Sequence, residues 1–293
     1  MLLTLTASAF DSDAWLAKRS EMTAEATRLR AAYSNAVAGV VTPSEDLVIP
    51  LETDSSGKIR TKIAAGKAQL FLDRPLIWAE NVALCRLDGD GKEEVRLDAE
   101  RCVIDRVERS GWIEGHARLK QETSVVEGDG VHFSGSNDFV TVYSGADVVY
   151  SGLGRDGKDA KPSRIRARRA DLDRAAGVIL FEGEVDVDYA GEYKLNADRV
   201  FAFLKNTNTL SRIVASGGVA VVDGDRSGSC ATAVYRDRER CIEMYGDGKE
   251  PARLADDSRR HADIRGRKIT FWIDSEQVEV IAPEITLEEQ DVR

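Results

Sequence analysis

The stretch that decides the fold reads Glu-Val-Asp-Val-Asp-Tyr at positions 184–189, where apolar and acidic side chains alternate. The same period of two recurs at 219–221 and again at 269–273. Such alternation is typical of a β-strand with one buried face. Turn sequences rich in Asp and Gly, at 88–91 and 223–225, separate these runs. The pattern predicts an all-β chain.

One segment departs from this pattern, because residues 11–42 have helical periodicity. Its apolar residues share one face of a helix and are Met22, Ala26, Leu29, Tyr33 and Val37. Charged residues lie on the other face. We expect this amphipathic helix to dock on the β domain rather than to enter a membrane.

Composition restricts the function. The 293 residues carry a net charge of −10, which argues against nucleic acid as a partner because phosphate binding needs a cationic surface. Only 3 histidines are present, and none has metal-ligand spacing. We therefore expect no metal and no cofactor. The four cysteines, Cys85, Cys102, Cys230 and Cys241, allow either disulfides or isolated buried thiols.

A repeat runs through the β region. A small residue is followed about six residues later by an Asp or an aromatic residue, and then by a glycine. We interpret each copy as a hairpin in which the small residue opens one strand and the glycine begins the return strand. Lone hairpins cannot bury an apolar face, so the units must stack into an elongated antiparallel sheet. The copies start at Ala65, Ala99, Gly128, Ala167, Ala197, Ala231 and Gly266.

Several of these units resemble a known family. The sequences Ala-Asp-Arg-Val-Phe at 197–201, Val-Ala-Ser-Gly-Gly-Val-Ala-Val at 214–221 and Ala-Thr-Ala-Val-Tyr at 231–235 are similar to OstA/LptA-type periplasmic domains. The run Ile-Arg-Gly-Arg-Lys-Ile-Thr-Phe at 264–271 continues the likeness.

The stretch 57–145 is more similar to LptC. Its best matches are Ile-Trp-Ala-Glu-Asn-Val at 77–82 and Val-Arg-Leu-Asp-Ala at 95–99. The chain departs from the family in two respects. LptC proteins usually carry a membrane helix, and no stretch here reaches the ~20 apolar residues that such a helix requires. The two domain types are also usually separate chains.

The resemblance implies a division of the chain into four segments. Residues 1–10 are a remnant of an export signal or a plain coil, and 11–42 form the helix. An LptC-like β domain then spans 43–155, and an LptA/OstA-like domain spans 156–293. The implied fold is an elongated antiparallel β-jellyroll, located in the periplasm, with anchoring to the inner membrane in a full-length form left open.

The implied function is a non-enzymatic bridge that shields lipopolysaccharide acyl chains, or those of a related glycolipid, on the way to the outer membrane. Other Lpt transport components are the expected partners, and open strand edges predict head-to-tail self-association. We expect the apolar groove to be formed by the inward-facing residues Val185, Val187, Phe201, Phe203, Val219, Val221, Tyr235, Phe271 and Val280.

Two other interpretations fit the same sequence. One is an interaction or scaffold protein with the same fold and a filled core. The other is a carbohydrate-active β-helix enzyme, for which carboxylate pairs such as Asp186 and Asp188 would have to serve as catalytic groups. These two alternate outward on a strand, as solvated residues do. The Gly-rich run 152–157 matches a dinucleotide fingerprint, but no helix is predicted after it, so we interpret it as a linker.

Overall fold

The computed structural model describes residues 10–37, 44–71, 74–121, 123–151, 161–205, 209–257, 262–275 and 277–283. This part of the chain contains one helix and 17 strands, which confirms the predicted all-β class with an N-terminal helix. The elements are α1 Ser12–Val37, β1 Ser44–Thr53, β2 Ile59–Leu70, β3 Leu76–Leu87, β4 Glu93–Asp105, β5 Ser110–Gln121, β6 Ser124–Ser134, β7 Phe139–Tyr150, β8 Ser163–Ala167, β9 Arg169–Asp173, β10 Val178–Tyr189, β11 Tyr193–Lys205, β12 Thr209–Asp223, β13 Arg226–Arg236, β14 Cys241–Tyr245, β15 Ala252–Asp256, β16 Ala262–Trp272 and β17 Val278–Pro283.

The strands form one continuous antiparallel meander. Each long strand pairs with the next along the chain, from β1 with β2 to β16 with β17. Two of the strands are divided in the middle. β8 and β9 both lie between β7 and β10, and β14 and β15 both lie between β13 and β16. The sheet is therefore continuous across the predicted domain boundary at 155/156, which itself lies outside the described residues together with the 152–157 motif. The four-segment division remains a prediction.

Each long strand bends near its middle. Positive φ angles occur there at Asn81, Gly115, Gly145, Gly183 and Gly217, and the pairing shifts register at the same level in several strands. The left-handed region favours glycine because it has no Cβ. The expectation that small residues open the strands and that glycines begin the return strands is wrong. Both lie in mid-strand, because a single strand crosses the bend and contributes to both sides of it.

The bend folds the sheet into two facing walls. The helix-side wall holds the half-strands next to the turns at 106–109, 135–138 and 174–177, and α1 lies on its outer face. The open wall holds the other halves, next to the turns at 88–92 and 190–192. One apolar cluster contains residues of both walls, so the protein's interior lies between them.

Side-chain size in this interior follows the distance from the bend. In the open wall the row nearest the bend is made largely of alanines, with Ala99 opposite Ala117 and Ala146 opposite Ala167. The next row outward carries larger side chains, such as Leu97. Two walls that meet at a bend are closest there, so only small residues fit. The repeated small residue in the sequence therefore marks the bend.

The helix packs as predicted. Met22, Ala26, Leu29 and Tyr33 are buried against the outer face of the helix-side wall, and the side chain of Val37 lies outside the described residues. The helix begins after Asp11, whose Oδ1 accepts hydrogen bonds from the backbone N–H groups of residues 13 and 14. No helix among the described residues is long and apolar enough to span a membrane.

Candidate functional site

A narrow slot of about 170 Å³ lies between the two walls in the first half of the sheet. Its floor is apolar, and its mouth, on the side away from the bend, is charged. The slot is lined by Leu51, Glu52, Thr61, Leu84, Arg86, Val95, Leu97, Arg109, Leu119, Phe133, Ser134, Gly135, Asp138, Phe139, Val140 and Arg174.

Three leucines on successive strands form the open-wall side of the slot. Leu84 pairs with Leu97, and Leu97 pairs with Leu119, so the three side chains form a row across β3, β4 and β5. Cross-strand neighbours of this kind have Cβ atoms ≈ 4.5–5.5 Å apart, which makes the row a continuous apolar surface. Phe133 and Val140 face it from the helix-side wall.

The position of the Phe133 ring depends on a glycine. Gly111 lies opposite Phe133 in the pairing of β5 with β6. A Cβ atom at Gly111 would lie 2.4 Å from Cζ of that ring. The ring therefore occupies the space that any other residue at 111 would fill, and a side chain there would displace it.

Arginines and carboxylates border the mouth of the slot. Arg109 Nη1 lies 3.2 Å from Glu52 Oε1, which links the turn after β4 to the end of β1. Arg174 Nη1 lies 3.4 Å from Asp138 Oδ1. Desolvation lowers the pKa of Arg174, the Asp138 carboxylate opposes that shift, and the nearby charge of Arg86 lowers the pKa further. The mouth therefore holds two guanidinium groups that repel each other.

The second half of the sheet has a different mouth, filled by aromatic rings. The ring centroids of Tyr189, Tyr193 and Tyr235 lie 5.0 to 5.3 Å apart. The Tyr235 hydroxyl donates to Asp237 Oδ1 at 3.0 Å. Burial, together with the Asp237 charge, raises the pKa of Tyr189 to about 12. These neutral phenols close the space between the walls.

Two arginines fasten the walls together beside these rings. Arg240 contacts Glu192 on the open wall at 2.6 Å and Asp274 at 2.8 Å, and the Asp274 hydrogen bond is the main reason that the pKa of Arg240 is raised. Arg226, at the open-wall rim, donates to the backbone oxygen of Trp272 at 3.1 Å on the other wall. In this second half, called the fastened half below, rings fill the mouth and partly buried arginines join the walls. At the slot no ring fills the mouth, and the walls are linked there by the exposed pair Arg109–Glu52.

Most of the predicted groove residues lie in the interior, but in this fastened half. Val185, Val187, Val219, Val221, Tyr235 and Phe271 are each 1% exposed and belong to the interior cluster. Val280 is partly buried against the same cluster. None of these seven residues lines the slot. Their role in lipid binding stays a prediction.

Phe201 and Phe203 are placed differently, and the expectation that they face inward is wrong. They pack with Trp15 of α1 and with Phe10, which precedes the helix, on the outer face of the helix-side wall. Among the residues of β11 that face the interior, Ala197 and Val200 lie nearest the bend on either side of it, three residues apart. The alternation changes phase at the bend, so a pattern read straight through it assigns later residues to the wrong face.

The slot itself was missed by sequence reasoning. Its leucines lie 13 and 22 positions apart along the chain, and only the strand register brings them side by side. The available signal was that three consecutive alternating runs each place a leucine next to or two residues from an arginine, namely Leu84 and Arg86, Arg96 and Leu97, and Arg118 and Leu119. A larger cavity of about 770 Å³ lies outside the interior, where α1 begins, and includes Trp15 and Arg212 in its lining.

The described residues include no group of three or more His, Cys, Asp or Glu side chains that could hold a metal ion. All four cysteines are free thiols. Burial raises the pKa of Cys102 and of Cys230 to about 12, so both thiols are protonated at neutral pH. The structure thus has the isolated-thiol arrangement that the sequence left as one of two possibilities.

Comparison with known proteins finds one family model that matches part of the chain. Residues 164–277 match the family model described as LptA/(LptD N-terminal domain) LPS transport protein. A solved structure, LptH, the LptA homologous periplasmic component of the conserved lipopolysaccharide transport device from Pseudomonas aeruginosa, is 19% identical to this chain. Its alignment covers 42% of this chain and 83% of that chain, with a TM-score of 0.36. No curated protein matches the chain.

Proposed function

We propose that this protein binds the acyl chains of lipopolysaccharide, or of a related glycolipid, between its two walls and takes part in lipopolysaccharide transport in the periplasm. The observation that carries the proposal is the slot, an apolar space between the walls with a charged mouth. The family match of residues 164–277 supports the connection to lipopolysaccharide transport. Apart from Arg174, the slot lining lies in the preceding part of the chain, for which we retain the LptC-like interpretation as part of the proposal.

The size of the slot sets how much lipid it accepts at rest. An apolar protein cavity of about 150 Å³ binds a benzene molecule, so a slot of about 170 Å³ holds a segment of about six carbons. Burying six methylene groups contributes about 5 kcal/mol before ordering costs, at roughly 0.8 kcal/mol each. This free energy is enough to bind one segment of a single acyl chain. A whole chain requires the walls to separate further along the interior.

In the fastened half of the sheet, the two walls must separate before a whole acyl chain can be bound. The interior residues of this half have no exposed surface to offer a lipid while Arg226 and Arg240 join the walls. We infer that a lipid enters at the slot and that further movement along the interior breaks these contacts. Self-association or pairing with other Lpt components would use the outer edges of β1 and β17, which pair with β2 and β16 among the described strands and where Val48 and Ile281 are exposed.

The scaffold interpretation remains the competing proposal, because the interior of the second half is filled by the protein's own side chains. Native mass spectrometry of the protein purified from a lipopolysaccharide-producing host separates the two. We expect a population with the added mass of one glycolipid, which disappears after delipidation. Protein that carries no glycolipid, and that takes up none from added lipopolysaccharide, would leave the scaffold interpretation.

A further inference from the structure

Three arginines border the slot from three different parts of the chain. Arg86 is on β3, Arg109 is in the turn between β4 and β5, and Arg174 is in the turn between β9 and β10. The slot lining contains two carboxylates, Glu52 and Asp138. Within the lining itself three arginines therefore face two carboxylates, although the whole chain has a net charge of −10. A third carboxylate, Glu94, lies outside the lining and pairs with Arg86, so each arginine has one carboxylate beside it.

The carboxylates do not fully satisfy these guanidinium groups. The N–O distances of the pairs Arg109–Glu52 and Arg174–Asp138 are 3.2 and 3.4 Å. These distances exceed the ≈ 2.7–2.9 Å of a strong charge-assisted hydrogen bond. Arg86 is paired with Glu94, whose side chain is 47% exposed. Exposed pairs of this kind contribute little and exchange readily with another anion.

Arg174 has the most buried side chain of the three arginines. Its side chain is 21% exposed, and its pKa is lowered by desolvation and by the charge of Arg86. A charged group in this position is stabilised by an anion placed between it and its cationic neighbour. A phosphate suits this role, because its oxygens accept paired hydrogen bonds from planar guanidinium groups.

We propose that Arg86, Arg109 and Arg174 bind a phosphate group of the same amphiphile whose acyl chain enters the slot. This inference rests on the proposed function and adds the head-group chemistry to it. A ligand with an acyl chain and a phosphate group contacts both the apolar floor and the arginines at the mouth, whereas a neutral lipid contacts the floor alone. The site thus discriminates phosphorylated from uncharged amphiphiles of equal chain length.

The test compares two probes with the same fourteen-carbon chain, a lysophosphatidate and an uncharged monoacylglycerol, in a fluorescence displacement assay. Inorganic phosphate alone is a third arm. The variants are Arg174→Gln and Arg109→Gln. The matched control is Arg253→Gln, an exposed arginine of β15 that is paired with Asp263 of β16. The second variant serves if Arg174→Gln melts abnormally, because the Arg109 side chain is 45% exposed.

We expect the wild type to prefer the lysophosphatidate and Arg174→Gln to weaken that probe by about tenfold or more, which is the loss of a charged hydrogen bond. The uncharged probe and the control variant should be unaffected. An equal loss for the two probes would overturn the phosphate site. Displacement of the lysophosphatidate by inorganic phosphate with similar affinity would overturn the lipid as its source. Failure of the wild type to bind either probe would instead contradict the proposed function itself.

Discussion

Filling the slot should abolish lipid binding without unfolding the protein. Leu119 lies in the open-wall row at the slot, and Leu195 lies in the continuation of that row in the fastened half, 2% exposed. Leu119→Trp adds bulk where about 170 Å³ is open. Leu195→Trp adds the same bulk where neighbouring side chains already fill the space. The two variants differ only in the space available to the new ring.

The magnitudes follow from the slot volume. If the indole replaces a six-carbon segment, it removes about 5 kcal/mol of apolar burial from the complex, at roughly 0.8 kcal/mol per methylene. The affinity for a single-chain amphiphile should then fall by at least about tenfold and by up to about 3.5 orders of magnitude, since each 1.4 kcal/mol is about tenfold. Overpacking a filled interior costs about 1–3 kcal/mol, so Leu195→Trp should lower Tm by roughly 2 to 12 °C.

Fluorescence displacement measures the first effect, and thermal unfolding followed by circular dichroism measures the second. We expect Leu119→Trp to melt close to the wild type and to lose the lipid. Unchanged lipid affinity in a folded Leu119→Trp protein would refute the reasoning, because the slot would then not be where the chain binds. Equal losses of Tm in the two variants would show that the slot is not open space.

Four further predictions follow from the same contacts. Arg240→Ala removes the ion pairs with Glu192 and Asp274. We expect the free energy of unfolding, measured in urea, to fall by about 1–3 kcal/mol and amide hydrogen exchange near Tyr193 to become faster. Unchanged exchange would count against the role of Arg240 in joining the walls. Gly128→Ala places a Cβ atom 2.3 Å from Val142 Cγ1 and should cost about 1–3 kcal/mol, whereas Gly89→Ala, in an open turn, should melt like the wild type. Burial raises the pKa of Glu243, but the hydrogen bonds from Lys268 and Arg236 together outweigh it and lower the pKa. The stability that this carboxylate contributes is therefore present above its ordinary pKa of 4.5 and is lost as pH falls through the lower folded value. The difference in unfolding free energy between wild type and Glu243→Gln should shrink in acid, and a difference independent of pH would contradict the assignment. Ile281→Lys places a charge on the edge strand β17 and should reduce concentration-dependent association in sedimentation, which a strictly monomeric wild type would rule out.

Local patterns in the sequence predicted the elements, because strand alternation and helix periodicity reflect the environment of each residue. The stripe from Met22 to Tyr33 and the alternation at 184–189 both match buried faces. The repeated small residues were also informative, but the reason for their size lies in the tertiary structure and not in the neighbouring sequence. Ala99 and Ala117 are small because two walls converge at the bend, and that convergence depends on all the strands together.

The slot was harder to predict than the strands, because it depends on contacts between distant parts of the sheet. Phe201 and Phe203 were assigned to the wrong face because a phase change at the bend leaves little trace in an alternating pattern. The leucine row exists only through strand register, and the arginines at its mouth come from three separate turns and strands. Sequence spacing carries no record of such convergence, which arises when the sheet folds over.

The most direct measurement of the central claim is site-specific photo-crosslinking to lipopolysaccharide. A photoreactive residue is placed at Leu119 inside the slot, at its outward-facing neighbour Arg118, and at Phe203 beneath the helix. The account predicts lipopolysaccharide adducts at Leu119 and none at the other two positions, in variants that melt like the wild type. Equal adducts at Leu119 and Arg118, or adducts at Phe203 alone, would contradict it.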